Sequence, residues 1–176
     1  GTANNDTLNG GSGADVITGG AGADTIDGNG GNDQLIYASD TDFVSGNAVV
    51  DDIDGGDGAA DRVSITDTGG FTIVAGDLDG RIANVEIIDL GSVAADFTAP
   101  ISITLNNTDI TSGVRTIDLS SDNSNDTSTV NLSGVTDADA DVATGGFTVT
   151  AGADDTTITG TANNDTLNGG SGADVI

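Results

Sequence analysis

Along the first 36 residues an aliphatic side chain returns every nine positions, at Leu8, Ile17, Ile26 and Leu35. That interval is neither the 3.6-residue period of an amphipathic helix nor the alternation of a long strand. Each of these residues is the centre of a triplet (TLN, VIT, TID, QLI), and the stretch before each triplet is glycine, asparagine, aspartate and other small residues. The pattern predicts very short strands joined by tight turns. From residue 63 onward the pattern changes to short β-branched runs: RVSIT, FTIVAG, VEIIDLG, ISITLNN, RTIDLSS, STVNLSG, FTVTAG and TTITG. Each predicts a strand. Leu90, Leu105, Leu119 and Leu132 recur at nearly even, slowly shortening intervals, which read as coil lengths of a solenoid with irregular loops. A small antiparallel sandwich is the other arrangement such runs allow.

Cut from residue 1, the chain opens with GTANNDTLN (1–9), GGSGADVIT (10–18), GGAGADTID (19–27) and GNGGNDQLI (28–36). The shared unit is Gly-Gly-x-Gly-x-Asp-x-aliphatic-x. Two units make one coil, which sets Leu8 against Ile26 and Ile17 against Leu35. It also sets Asp6 against Asp24 and Asp15 against Asp33. A longer period encloses this one: residues 1–17 return letter for letter as 160–176, the mark of a tandem array. The copy begins with GTANNDTLN (160–168) and a shortened GGSGADVI (169–176). Before it, TVTAGADDTTIT (148–159) drifts back toward the unit, with Thr156 where the aspartate would stand, so no strong site is expected there.

Four aliphatic side chains at about 1.5–3 kcal/mol each cannot offset the ordering of the whole block at about 1–2 kcal/mol per residue. The charge supplies the missing term. Acids number 29 against three bases, for a net charge of −26, and Glu86 is the single glutamate. A chain so acidic repels itself unless cations are bound, and it makes a poor partner for nucleic acid or an acidic membrane surface. Stacked aspartates beside turn carbonyls offer the all-oxygen shell of six to eight ligands that calcium takes, and magnesium's tight octahedron fits it worse. There is no cysteine, histidine or lysine, hence no disulfide, thiolate nucleophile or familiar general base, and no enzyme is expected. No signal peptide or membrane-spanning stretch is evident.

The four consecutive units resemble the repeats-in-toxin (RTX) family. The resemblance implies an all-β fold, a parallel β-roll or right-handed β-solenoid, with calcium-binding nonapeptide turns and an irregular β-rich middle. It divides the chain into a β-roll over 1–44, a solenoid-like middle over 45–159 and the start of a further roll over 160–176. Carried over unit by unit, it implicates the carboxylates of Asp6, Asp15, Asp24, Asp33, Asp165 and Asp174 as ligands of several calcium ions. Their companions are turn carbonyls around Gly10, Gly11, Gly13, Gly19, Gly20, Gly22, Gly28, Gly30, Gly169, Gly170 and Gly172. Thr2, Asn4 and Asn29 depart from the glycine pattern, and the edge sites are the ones this touches.

Elsewhere, DIDGGDGAADRVSI (52–65) is a related turn with one extra residue, able to hold an ion through Asp54, Asp57 or Asp61. Asp137, Asp139 and Asp141 form a weaker candidate, while 120–128 and Asp77, Asp79 and Gly80 read as solvated turns. Proteins of the RTX kind are typically exported unfolded by a type I route and fold on meeting extracellular calcium. The expectation is thus a structural module of a secreted bacterial surface protein, stacking end to end on copies or neighbouring repeats in a surface layer or extracellular fibre. A spacer or ligand-presenting repeat of a giant adhesin is the alternative, with Tyr37, Phe43, Phe71, Phe97 and Phe147 the aromatics available for a recognition patch or for core filling.

Overall fold

The computed structural model describes residues 1–46, 48–91, 97–122, 126–136 and 146–176. The nonapeptide block gives β1 (Thr7–Ser12), β2 (Val16–Ile17), β3 (Thr25–Gly30) and β4 (Gln34–Tyr37). The predicted runs give β6 (Arg62–Ile65), β7 (Phe71–Ile73), β9 (Ile87–Asp89), β10 (Ile101–Asn106), β11 (Thr116–Asp118), β12 (Thr127–Gly134), β13 (Thr148–Thr150) and β14 (Asp155–Thr159). Two further strands, β5 (Asp52–Asp54) and β8 (Ile82–Ala83), and the final β15 (Thr166–Asn168) complete the set. Among the described residues, helix is confined to one turn, α1 (Asp40–Phe43), and a 3-10 turn over Asp109–Ser112. Asp42 thus lies in a helical turn, and the chain after Tyr37 does not continue the strand-and-turn pattern of the nonapeptides.

All the ladder pairings are parallel, which sets the antiparallel sandwich aside. They form three sides. The first is β1-β3-β5-β8, the second β7-β10-β12-β14, and the third β2-β4-β6-β9-β11-β13-β15. Along the third, one row of partners runs Val16, Gln34, Arg62, Ile87, Thr116, Thr148 and Thr166. The first and last steps of that row, Val16 to Gln34 and Thr148 to Thr166, are each two nonapeptides long. Every step between them is longer.

Lengthening adds a side. The coil from β6 to β9 contains β7 and β8, each in a different ladder, so three strands surround its interior where the first coils have two. The second side begins with α1, whose Phe43 ring stacks 6.3 Å from that of Phe71 in β7. Leu90 and Leu119 follow β9 and β11 on the third side, whereas Leu105 and Leu132 belong to β10 and β12 on the second. The intervals between successive leucines are therefore passages between sides. A full coil runs from Leu90 to Leu119, or from Leu105 to Leu132.

Alternation then places the core. In β10 Ile101, Ile103 and Leu105 are buried between half-exposed Ser102, Thr104 and Asn106. Val130 and Leu132 continue that row, facing Ile88, Ile117 and Val149 of the third side, and Phe71, Phe97 and Phe147 fill the wider cross-section. In the nonapeptide coils the predicted stacks form, Leu8 on Ile26 and Ile17 on Leu35. Ile26 and Leu35 are sealed, and Leu8 and Ile17 only partly.

Candidate metal centres

The glycine turns reverse the chain through backbone conformations that side chains resist. In full-pattern units the second position adopts positive φ, at Gly11 (122°) and Gly20 (90°), and in the unit 19–27 the fourth does too, at Gly22 (122°). Asn29, in place of the second glycine of its unit, adopts φ 68°, which asparagine tolerates better than most residues. Turns of successive coils nest closely: a Cβ on Gly20, Gly22, Gly31, Gly170 or Gly172 would strike the carbonyl of Thr2, Asn4, Gly13, Gly152 or Asp154 respectively.

Each turn delivers its aspartate to the mouth of the next strand with one carboxylate oxygen fixed. Oδ1 of Asp24 accepts the Asp6 N–H at 2.8 Å, and Oδ1 of Asp33 accepts that of Asp15 at 2.8 Å. Two residues join these columns that the nonapeptide pattern did not assign: Oδ1 of Asp51 accepts the Asp24 N–H, and Oε2 of Glu86 accepts the Asp61 N–H. Asp61, from the related turn, accepts the Asp33 N–H at 2.7 Å. The columns read Asp6–Asp24–Asp51 before the first side and Asp15–Asp33–Asp61–Glu86 before the third. At the other end Asp165 accepts from Phe147 and Asp174 from Thr156.

The second oxygen separates the sites. Oδ2 of Asp15, Asp24, Asp33 and Asp61 is buried without a hydrogen-bond partner. Such an atom is costly unless a cation answers it. Beside it lies the first glycine of the unit. A Cβ on Gly10 would stand 2.7 Å from the Gly28 carbonyl oxygen and 3.0 Å from Asp15 Oδ2. One on Gly19 would stand 2.5 Å from Asp24 Oδ2, and one on Gly28 would meet the Gly55 carbonyl and Asp33 Oδ2. Gly160 and Gly169 have the same relation to Asp165 and Asp174. Glycine keeps these oxygen-lined cradles open, and carboxylate with carbonyl is the donor set a hard divalent ion takes. A Cβ on Gly13 or Gly30 would meet nothing within 4 Å, one on Gly11 would stand 3.9 Å from Asp15 Oδ2, and the Gly30 carbonyl is engaged by the Gly13 N–H.

The GTANN units differ. Thr2 donates its N–H and its hydroxyl (2.9 Å) to Asp6 Oδ2, which lowers the Asp6 pKa below the usual carboxylate range. Thr161 does the same for Asp165, at 2.7 and 3.1 Å. A threonine at the second position thus supplies from the protein what the glycine units leave open. At Asp51 the Tyr37 hydroxyl fills that role, donating to Oδ2 at 2.7 Å. Burial pushes the Asp51 and Asp61 carboxyls up, and burial beside Asp51 pushes the Tyr37 phenol far up. Of the three acids in the related turn only Asp61 enters a column. Asp54 accepts from Gly56 and Asn84, and both it and Asp57 are exposed.

In the middle the column position carries other chemistry. Arg115 stands there after Glu86, donating to the carbonyls of Ile110 (3.2 Å) and Val114 (2.6 Å) and lying 5.9 Å from the ring centre of Phe147, the next member. On the second side Ser128 Oγ accepts the Ile101 N–H and donates to Asp122 Oδ2. The run 120–128 is therefore not simply a solvated turn: Asp122 is buried, and carboxylate oxygens of Asp122, Asp126 and Asp154 come within 4.8 Å of one another. Asp77 is buried too, closing its turn by accepting the Val74 N–H, while Asp79 and Gly80 are exposed as expected. Asp137, Asp139 and Asp141 lie outside the described residues.

A parallel solenoid whose turns aim buried carboxylates into glycine cradles defines a cation-stapled β-roll. A family model described as the RTX calcium-binding nonapeptide repeat (4 copies) matches residues 1–35 and 148–176. The chain thus carries RTX repeats towards both ends, and such repeats bind Ca2+, several ions across a block. No curated protein and no solved structure matches the chain. RTX repeats are typical of secreted bacterial proteins, and no described helix is long and apolar enough to cross a membrane.

Proposed function

We propose that this chain is a calcium-stapled rod segment of a secreted bacterial surface protein, working within a surface layer or extracellular fibre. The observation that carries the reading is the set of buried, partnerless Oδ2 atoms at Asp15, Asp24 and Asp33, each beside a glycine that no other residue could replace without filling the cradle. These oxygens, with Asp61 and the neighbouring turn carbonyls, are the proposed ligands. Asp6 and Asp165 contribute less, because threonine already holds them. Calcium supplies positive charge between stacked carboxylates, and the chain's own part is to fix Oδ1 so that Oδ2 faces inward. Because the ion binds the folded turns, its free energy adds to folding, which suits export through a type I route before calcium is met.

The adhesin alternative asks for a recognition patch, and the aromatic residues do not favour one. Tyr37 and the four phenylalanines are all buried, consistent with core filling. The test is a calcium titration followed by circular dichroism and calorimetry, with the same protein imaged in calcium and in chelator. Several ions bound with a gain of β structure, and sheets or filaments seen only in calcium, are expected. Nonapeptide coils that stay fully ordered in excess EDTA would sink the reading.

A further inference from the structure

The step along the first side lengthens where the nonapeptide pattern stops. Asp6 stands 18 residues before Asp24, but Asp24 stands 27 before Asp51, because α1 and its flanking turns are inserted between them. Asp51 nevertheless takes the column position. Its Oδ1 accepts the Asp24 N–H at 2.8 Å, while β3 and β5 pair in register just beyond. The turn before it has lost the glycine spacing: Ala48, Val49 and Val50 precede the acid. The match to the repeat family ends at residue 35, before both Tyr37 and Asp51.

We propose that Asp24 and Asp51 hold one calcium ion jointly, at the seam where the nonapeptide coils pass into the longer ones, with the Tyr37 hydroxyl bonded to one of the two ligands. The proposal rests on the calcium-stapled reading above and extends it to a site that the repeat does not specify. Oδ2 of Asp24 is buried without a hydrogen-bond partner, in a residue only 2% exposed. Gly19 borders the space that this atom faces. A Cβ there would stand 2.5 Å from Asp24 Oδ2 and 3.3 Å from Asp51 Oδ2, so the two oxygens converge on one point. Asp51 is itself fully buried. Two carboxylates brought together away from water repel unless a cation answers them, and carboxylate oxygen is the ligand calcium takes.

Tyr37 sets this site apart from the others. It ends β4, in the third ladder, and donates its hydroxyl across to Asp51 Oδ2 at 2.7 Å. A carboxylate oxygen has two lone pairs, so one accepts the phenol while the other remains for the ion. Phenol and ion draw on the same negative charge. Bound calcium therefore weakens the phenol's hydrogen bond, and by linkage loss of the phenol strengthens calcium binding. An ion held here ties the glycine turn of 19–24 to the acid that precedes β5. It thereby fixes the register in which the longer coils begin.

The chain has one tyrosine and no tryptophan, so this site carries its own optical reporter. The probe is terbium, which takes calcium's oxygen sites and emits when an excited aromatic ring lies close by. In the full chain, excitation of the tyrosine should give terbium emission that excess calcium displaces. Asp51→Asn keeps an oxygen for the Asp24 N–H and should cut that emission by at least about tenfold. Asp52→Asn removes the same charge from an exposed neighbour and should leave the emission nearly unchanged. Calorimetry of Tyr37→Phe should show calcium bound at least as tightly as in the parent. Emission that survives Asp51→Asn, or falls equally in Asp52→Asn, would overturn the shared site. So would a parent that binds several ions by calorimetry yet gives no sensitised emission. Weaker calcium binding in Tyr37→Phe would overturn it too, whether or not Asp51→Asn folds. In each of these cases the nonapeptide sites still stand. A chain that binds no calcium and gains no order in it fails the reading beneath, and this site with it.

Discussion

The two-nonapeptide coils at the ends and the longer coils between them solve the same problem with different materials. In the end coils two ladders face each other across single aliphatic residues, and Leu8 and Ile17 are not fully covered. Here Oδ2 of Asp15, Asp24 and Asp33 is left for a cation. In the middle a third side opens the cross-section enough for Phe43, Phe71, Phe97 and Phe147, all buried, and the column position that held acids holds Arg115 and then Phe147. The end coils, with Asp61 of the first longer coil, recruit their positive charge from solution, and beyond Glu86 the third-side column builds in a guanidinium and then an apolar ring. Dependence on calcium should therefore be uneven along the rod.

The largest effect should come from removing the ion. In excess chelator, amide hydrogen exchange in β1 to β4 and β15 should accelerate by roughly ten-thousandfold or more, the linkage expected when two or more sites are each held about a hundredfold above their Kd. Exchange in β10 and β12 should change by less than about tenfold. Uniform loss across all strands would mean that the middle leans on calcium as heavily as the ends. Next in size is Phe71→Ala, which removes a fully buried ring stacked on Phe43 and should cost about 3–5 kcal/mol whether or not calcium is present. Denaturant melts in calcium and in chelator would read it. A cost that appears only in calcium would contradict the division of labour.

Tyr37→Phe probes the border between the two regions. It removes the hydroxyl that answers Asp51 Oδ2, and in chelator the orphaned oxygen should cost about 1–3 kcal/mol. A Cβ on Gly19 would lie 3.3 Å from Asp51 Oδ2 and 2.5 Å from Asp24 Oδ2, so both oxygens line one cradle. Calcium should then recover part of the loss, which paired melts would show as a smaller difference between variant and parent in the presence of the ion. An equal loss with and without calcium would place Asp51 outside the cation site.

The end coils were legible because everything that specifies them is local: the turn glycines, one acid and one aliphatic residue repeat within nine positions. The strands of the middle were legible from β-branched runs, but their assignment to sides was not. Coil length there is uneven, shorter from Arg62 to Ile87 than from Thr116 to Thr148, so partners in a ladder stand at no constant interval. β5 and β8 are too short to show alternation, with Ile53 and Ile82 as their buried apolar residues. A signal for the extended columns was nonetheless present. The nonapeptide places its acid two positions before the ladder aliphatic, as in Asp6-Thr7-Leu8. The same triplet recurs in Asp51-Asp52-Ile53, Asp61-Arg62-Val63, Glu86-Ile87-Ile88 and, with a hydroxyl for the acid, Ser128-Thr129-Val130. Read without the glycines, that triplet marks the column through the middle, and it passes through Arg115-Thr116-Ile117 where the acids stop.

The smallest predicted difference lies within the nonapeptide block and is the sharpest check on what a site requires. Asp33→Asn keeps an oxygen to accept the Asp15 N–H but removes the charge facing the Gly28 cradle, so calcium affinity at that site should fall by at least about tenfold. Asp6→Asn makes the same chemical change in a unit whose Oδ2 already receives the Thr2 N–H and hydroxyl, so the titration should move less. Thr2→Gly should bring the first unit closer to the others, freeing Asp6 Oδ2 and strengthening the response to calcium. Calorimetric titration of the three variants against the parent separates the outcomes. If Asp6→Asn costs as much as Asp33→Asn, threonine is not a substitute for the ion, and the distinction between a self-satisfied edge unit and a calcium-requiring inner unit falls with it.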